Sequence, residues 1–157
     1  MSAAGAPAAL RTAEPRDAPA IARRLDQLGY PTTPAAMRRR LGPILARPDY
    51  RTLVADVDDV VVGFIGACLV PSYELDGAYV RVLDLVVDRT ARGAGIGSTL
   101  LAAAEAWARE ERARVVVVNA RDEDDATAAA SSFYEAHGYV RTGGRYGKPI
   151  PAVGVNR

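Results

Sequence analysis

Apolar positions along the chain change their period several times, and each change predicts a new element. Residues 10–12 suit a short strand. After Asp17, which reads as a helix cap, Ile21, Leu25 and Leu28 share one helical face until Gly29-Tyr30-Pro31 ends it. Thr33 reads as a second cap with Pro34 at the first helical position, and Met37, Leu41, Ile44 and Leu45 form the buried face. Residues 51–57 and 60–70 are two β-runs joined by Asp58-Asp59, a connection of hairpin length. Pro71 closes the second run, and Asp76-Gly77 turns into a third at 79–87. That run ends in the dense apolar stretch Leu85-Val86-Val87 before Asp88, as a buried strand does. Beyond Arg92-Gly93-Ala94-Gly95-Ile96-Gly97, Ile96, Leu100, Ala103, Ala104 and Trp107 return at helical spacing. Residues 115–118 read as a buried strand, which a helical crossover makes parallel to 83–87. A helix over about 126–137 stops at Gly138, and strands at 139–145 and 152–155 complete the sheet.

Three strands joined by short turns and followed by a strand–helix–strand crossover predict an α/β fold of the α+β kind. Its central sheet is mixed and mostly antiparallel. We expect a single domain over 10–157 behind a disordered Ala/Gly/Pro-rich leader at 1–9, with no repeat and no linker. A chain of 157 residues is long enough to bury a substantial core. A formal charge of +1 creates no field that would argue for nucleic acid or a membrane surface. Arg38, Arg39 and Arg40 lie between apolar Met37 and Leu41 and read as a solvated helix face. With Cys68 the one cysteine and His137 the one histidine, neither a disulfide framework nor a metal site is expected. No apolar run is long enough to span a bilayer. The leader lacks the basic start and apolar stretch of a secretion signal, so a cytoplasmic protein is expected.

A strand, a glycine run and a helix in succession have a chemical use. The first N–H groups of a helix lack partners within it, and its dipole adds positive potential there. Glycines let a bulky anion approach the backbone, so the segment is a phosphate cradle. A P-loop would need lysine after its last glycine, where Ser98 and Thr99 follow Gly97. A dinucleotide fingerprint would need glycine at Ser98 and an acid near Asn119. What remains, Arg92-x-x-Gly95-x-Gly97, resembles the pyrophosphate loop of the GNAT family of N-acetyltransferases. A second block supports it: Ala130-Ser131-Ser132-Phe133-Tyr134-Glu135-Ala136-His137-Gly138-Tyr139 is similar to the family's Ala-x-x-Phe-Tyr-x-x-x-Gly-Phe/Tyr segment. The resemblance runs from about residue 10 to 145.

The resemblance implies helices on both faces of the sheet and a splayed parallel pair formed by 83–87 and 115–119. It implies acetyl-CoA as cosubstrate and acetyl transfer to a primary amine by direct attack in a ternary complex, without a metal. The pantetheine arm would pair with backbone around Leu85, Val86 and Val87, and the pyrophosphate would sit on Arg92, Gly93, Ala94, Gly95, Ile96, Gly97 and Ser98, with Arg89 nearby. Asn119 would hold water or the pantetheine amides, a strand-end turn being its alternative role. Tyr134 matches the family tyrosine that protonates the departing thiolate. A phenol near pKa 10 keeps its proton at neutral pH and can give it to a thiolate as it forms. The family's glutamate base falls at Leu83, a departure. Asp84 beside it is the candidate base, directly or through water; a structural hydrogen bond is its other reading. Cys68 reads as an inert core residue and His137 as a helix-end residue near local carbonyls. The acceptor is expected to be a small-molecule amine, with a protein amine and a second copy of the chain as further partners. Asp122-Glu123-Asp124-Asp125 would attract a cationic amine or simply start the next helix. Two other functions stay open: a CoA-binding module without turnover, and an NAD-binding protein.

Overall fold

Residues 7–119, 125–142 and 148–149 are described by a computed structural model. Their contacts group into two units, Met1–Val118 and Asn119–Arg157. The first unit holds a five-stranded sheet in the order β1 (Ala9–Thr12), β2 (Tyr50–Val57), β3 (Val60–Pro71), β4 (Ala78–Val87) and β5 (Val116–Val118). Pairing is antiparallel from β1 to β4 and parallel between β4 and β5, so the mixed, mostly antiparallel sheet is present. At the β2–β3 hairpin Asp58 and Asp59 adopt φ 50° and 64°, the left-handed pair that a tight two-residue turn needs and that aspartate tolerates.

Helices cover both faces of the sheet. Val54, Phe64 and Val86 stand in one row across three strands. Onto that row pack Ile21 of α1 (Ala18–Gln27) and Met37 and Leu41 of α2 (Pro34–Leu45). On the opposite face Ala67 and Val80 meet Trp107 and Ala108 of α3 (Ile96–Glu110). A Cβ on Gly63 would lie 2.9 Å from the Val86 carbonyl oxygen of β4 and 3.3 Å from Leu100 Cδ1 of α3, so both neighbours leave room only for glycine.

β4 reaches both layers through a bulge. Gly66 pairs with Asp84 and Ala67 with Val82, so Leu83 has no opposite number on β3. Val80 and Val82 therefore face α3, whereas Asp84 and Val86 face α1 and α2.

Thr33 caps α2 as expected, its Oγ1 accepting from Ala36 N at 3.0 Å. Pro43, absent from the expectation, lies in the last turn of α2, where the helix ends two residues later. The expected cap of α1 is corrected. A 3-10 turn at Pro15–Asp17 precedes the helix, and the Asp17 side chain makes no cap bond to α1. Instead Asp17 takes two bonds from the Arg11 guanidinium, both 2.8 Å, and accepts Glu14 N at 2.7 Å. A bidentate charge-assisted pair outcompetes a bond to one neutral N–H. Its guanidinium partner holds the Asp17 carboxyl below its ordinary pKa.

In the second unit α4 (Asp125–Ala136) ends where Gly138 takes φ 86°, with Gly138 N and Tyr139 N donating to Glu135 O and Tyr134 O, both at 3.0 Å. Of the strand expected at 139–145, residues 139–142 belong to none of the strands found among the described residues. Its remainder, the strand at 152–155, the leader over 1–6 and the acids Asp122, Glu123 and Asp124 lie outside the described residues.

Candidate active site

The glycine segment is shaped as an anion cradle. β4 ends at Val87, a 3-10 turn spans Arg89–Ala91, and Gly93 and Gly95 take φ 85° and 77° before α3 starts at Ile96. Left-handed backbone at both positions explains glycine there. The helical ladder opens with Thr99 N donating to Gly95 O at 3.0 Å, so the N–H groups of Ile96 and Gly97 precede it. The Ile96 side chain is buried in the core, which fixes the first turn and leaves its amide for a ligand. A Cβ placed on Gly93 or Gly95 would meet no heavy atom within 4 Å, so the space above the loop is open. Arg92 is exposed and donates from Nε to Val87 O at 3.2 Å, tying the loop back to the strand end. Backbone donors, a helix dipole, an arginine and open space together fit a pyrophosphate. Ala94 is exposed and Ser98 half-buried on the same segment.

The start of this loop is held from beneath. Asp88 accepts from Thr90 N at 2.9 Å and Thr90 Oγ1 at 2.8 Å, and it pairs with Arg24 of α1. Arg24 is only 6% exposed and also donates to Val61 O at 3.0 Å. The bonds from Thr90 come first among the causes that hold the Asp88 carboxyl below its ordinary pKa, with the Arg24 charge adding to them. Neither residue was singled out in the sequence. The signal was present for Arg24, which stands three residues after Ile21 on the apolar face of α1.

Asp84 stands on the other side of the bulge from Val82. Together with Leu83 it borders a cavity between the sheet and the two helices α1 and α2, lined also by Ile21, Met37, Leu41, Phe64 and Gly66. Burial raises the Asp84 carboxyl pKa. Leu83, where the family's glutamate was expected, is 42% exposed.

Of the expected pantetheine contacts, Val86 buries its side chain to 2% exposure, so only its backbone can meet a ligand. Leu85 and Val87 are half-buried. Among the described residues the parallel ladder covers three pairs, ending at Val82 with Val118. On that side of β4 the stretch 83–87 has no ladder partner among them, which suits an added strand-like ligand. Asn119 follows β5 directly and is exposed.

In the second unit, Tyr134 sits edge-on to Phe133 at 5.2 Å between ring centroids and to Tyr139 at 5.8 Å. His137 stacks on Phe133 at 4.4 Å, with Nδ1 2.7 Å from the Phe133 carbonyl oxygen. Cys68 is buried, and burial raises its thiol pKa, so it is a poor nucleophile. Among the described residues no cluster of three or more His, Cys, Asp or Glu is placed to hold a metal, and no helix is long and apolar enough to cross a membrane.

Residues 18–139 match the family profile described as Acetyltransferase (GNAT) family. No curated protein matches the chain in sequence. Among solved structures, a GNAT family acetyltransferase from Staphylococcus aureus is 24% identical with a TM-score of 0.76, covering 92% of this chain and 100% of its own. Glucosamine-6-phosphate N-acetyltransferase from Arabidopsis thaliana is 18% identical, with a TM-score of 0.76 over 92% of this chain and 99% of its own. AAC(6')-Iy, in complex with the bisubstrate analogue CoA-S-monomethyl-acetylneamine, is 18% identical, with a TM-score of 0.77 over 94% and 100%.

Proposed function

The chain belongs to the GNAT family of acetyltransferases, and we propose that it moves an acetyl group from acetyl-CoA to a primary amine by direct attack in a ternary complex. One observation carries the cosubstrate: the open, left-handed Gly93–Gly95 loop that presents the N-terminus of α3 at the end of β4. A structural neighbour in complex with a CoA-containing analogue supports the same choice.

In this reading the loop amides and Arg92 hold the pyrophosphate, with Arg89 beside them. Backbone around Leu85, Val86 and Val87 takes the pantetheine arm, and Asn119 holds its amides or a water. The amine nitrogen attacks the thioester carbonyl, forming the C–N bond as the C–S bond breaks. Asp84 takes the surplus proton from nitrogen, directly or through water, and its burial supports that assignment. A carboxyl raised from about 3.9 is a better match for a base at neutral pH than an ordinary one. Tyr134 gives a proton to the departing thiolate, an assignment that rests on the motif from Ala130 to Tyr139. We place the reaction in the cytoplasm, in one domain over 10–157, with a small-molecule amine as acceptor. A protein amine and a homodimer belong to the same proposal as secondary partners.

A second reading, a CoA-binding module without turnover, is favoured by one departure: Leu83 stands where the family's base is expected. NAD binding gains no support from the family match.

Thermal shift against acetyl-CoA, CoA, NAD and ATP, with wild type and Gly95→Glu, tests the loop. Acetyl-CoA and CoA should raise Tm in wild type alone, since the variant strains a left-handed position and sets a carboxylate beside the phosphates. An equal shift in a folded variant would refute the loop assignment.

A further inference from the structure

The cavity under α1 and α2 has a lining that selects among amines. It encloses about 80 Å³. An apolar cavity of about 150 Å³ holds benzene, so this one seats roughly half of such a ring or a branched group of about three to four carbons, with the remainder at its open mouth. Its walls are hydrocarbon: Leu25, Met37 and Ile44 reach in from the helices and Phe64 from the sheet. Polar groups number three, Tyr50, Thr52 and Asp84, and only one is a carboxyl. Gly66 faces the same space, and a Cβ on it would meet no heavy atom within 4 Å.

Such a lining penalises some acceptors and rewards others. A polyamine would find one carboxylate for its first ammonium and no other anion on the lining, so a second ammonium gains nothing there and is costly if drawn against the hydrocarbon. An aminosugar would strip water from several hydroxyls and find two to replace it. An apolar body loses nothing and gains roughly 25 cal/mol for each Å² buried.

We propose that the acceptor is a primary monoamine on a compact apolar body, branched alkyl or single-ring aryl, seated beneath α1 and α2 with its nitrogen at Asp84. This rests on the acetyltransferase reading and names its substrate class. The nitrogen then lies at the one group able to take its proton, and the apolar body supplies the binding energy. Gly66 sets the depth of the seat, because any larger residue would occupy it.

The test uses the full chain with saturating acetyl-CoA and follows thiol release. Isopentylamine and benzylamine are compared with spermidine, glucosamine and a short peptide with a free N-terminus. The apolar amines should show kcat/KM at least tenfold above the others. Gly66→Val fills the seat with a residue that suits a strand. It should raise KM for benzylamine tenfold or more and leave the acetyl-CoA-induced Tm shift intact. Preference for spermidine, glucosamine or the peptide would overturn the inference, as would an unchanged benzylamine KM in a folded Gly66→Val. If acetyl-CoA raises Tm but no amine releases thiol, this inference falls and the module reading gains. If acetyl-CoA itself fails to bind, the acetyltransferase reading falls and takes the inference with it.

Discussion

Replacing Arg24 with methionine should destabilise the protein by about 2 kcal/mol, a figure that follows from what surrounds the guanidinium. Arg24 is buried, pairs with Asp88 and donates to Val61 O. Removing one partner from a buried pair costs about 3–5 kcal/mol. Two features bring the figure down. Asp88 keeps both bonds from Thr90, so its carboxylate is not stranded. Arg24 Nε is buried without an acceptor, and deleting it relieves a desolvation cost of about 1–3 kcal/mol. For a chain of this size, about 2 kcal/mol lowers Tm by roughly 4–8 °C. Thermal unfolding of Arg24→Met, Asp88→Asn and the double variant at pH 7 closes a double-mutant cycle, with a coupling of about 1–2 kcal/mol expected. The pH dependence has a definite sign. Because the Asp88 carboxyl is held below its ordinary pKa, its stabilisation is present above about pH 4 and fades as pH falls through the folded value. The gap between wild type and Arg24→Met should therefore narrow in acid. A Tm drop under about 2 °C at pH 7, with coupling near zero, would refute the reasoning.

Asp84→Asn should depress kcat/KM at neutral pH, with activity returning up to about tenfold per unit as pH rises toward the pKa of the amine. Burial has raised the Asp84 carboxyl, so ionising it opposes folding above its unfolded pKa and the asparagine variant should melt no lower than wild type at pH 7. Tyr50 is the one other titratable side chain on the cavity lining and is unchanged in this comparison. Superimposable pH–rate profiles would remove Asp84 from the chemistry. Tyr134→Phe should lower kcat by about 10²-fold with little change in acetyl-CoA affinity. Unchanged turnover under chemistry-limited conditions would leave Tyr134 a packing residue.

Local signals in the sequence located the loop and most of the sheet. The run from Leu85 through Gly97 carries its own punctuation, because an apolar strand end, glycines at left-handed positions and a 3.6-residue period each occupy adjacent residues. The Asp58-Asp59 hairpin and the Thr33 cap were legible for the same reason. Asp17 misled because a capping aspartate and an ion-paired one look alike until Arg11 arrives from β1. The cavity at Asp84 was invisible in the sequence. It depends on how β3 and β4 pair and on two helices distant in sequence closing over Gly66. Arg24 lay between these cases, visible as a charge on an apolar face but with no sign of its partner.

The bulge at Leu83 gives β4 two parities. Upstream, the even-numbered Val80 and Val82 belong to the α3 core; downstream, the even-numbered Asp84 and Val86 belong to the core beneath α1 and α2. Deleting Leu83 would leave Val82 and Asp84 as consecutive residues facing opposite sides, in the pairing with Ala67 and Gly66 that they already have. The two cores therefore do not need the extra residue, and what it adds is a side chain at the edge of the cavity. That side chain is partly exposed and also borders the cavity beside Asp84. A base located by counting back in twos from the glycines keeps its face only as far as Asp84.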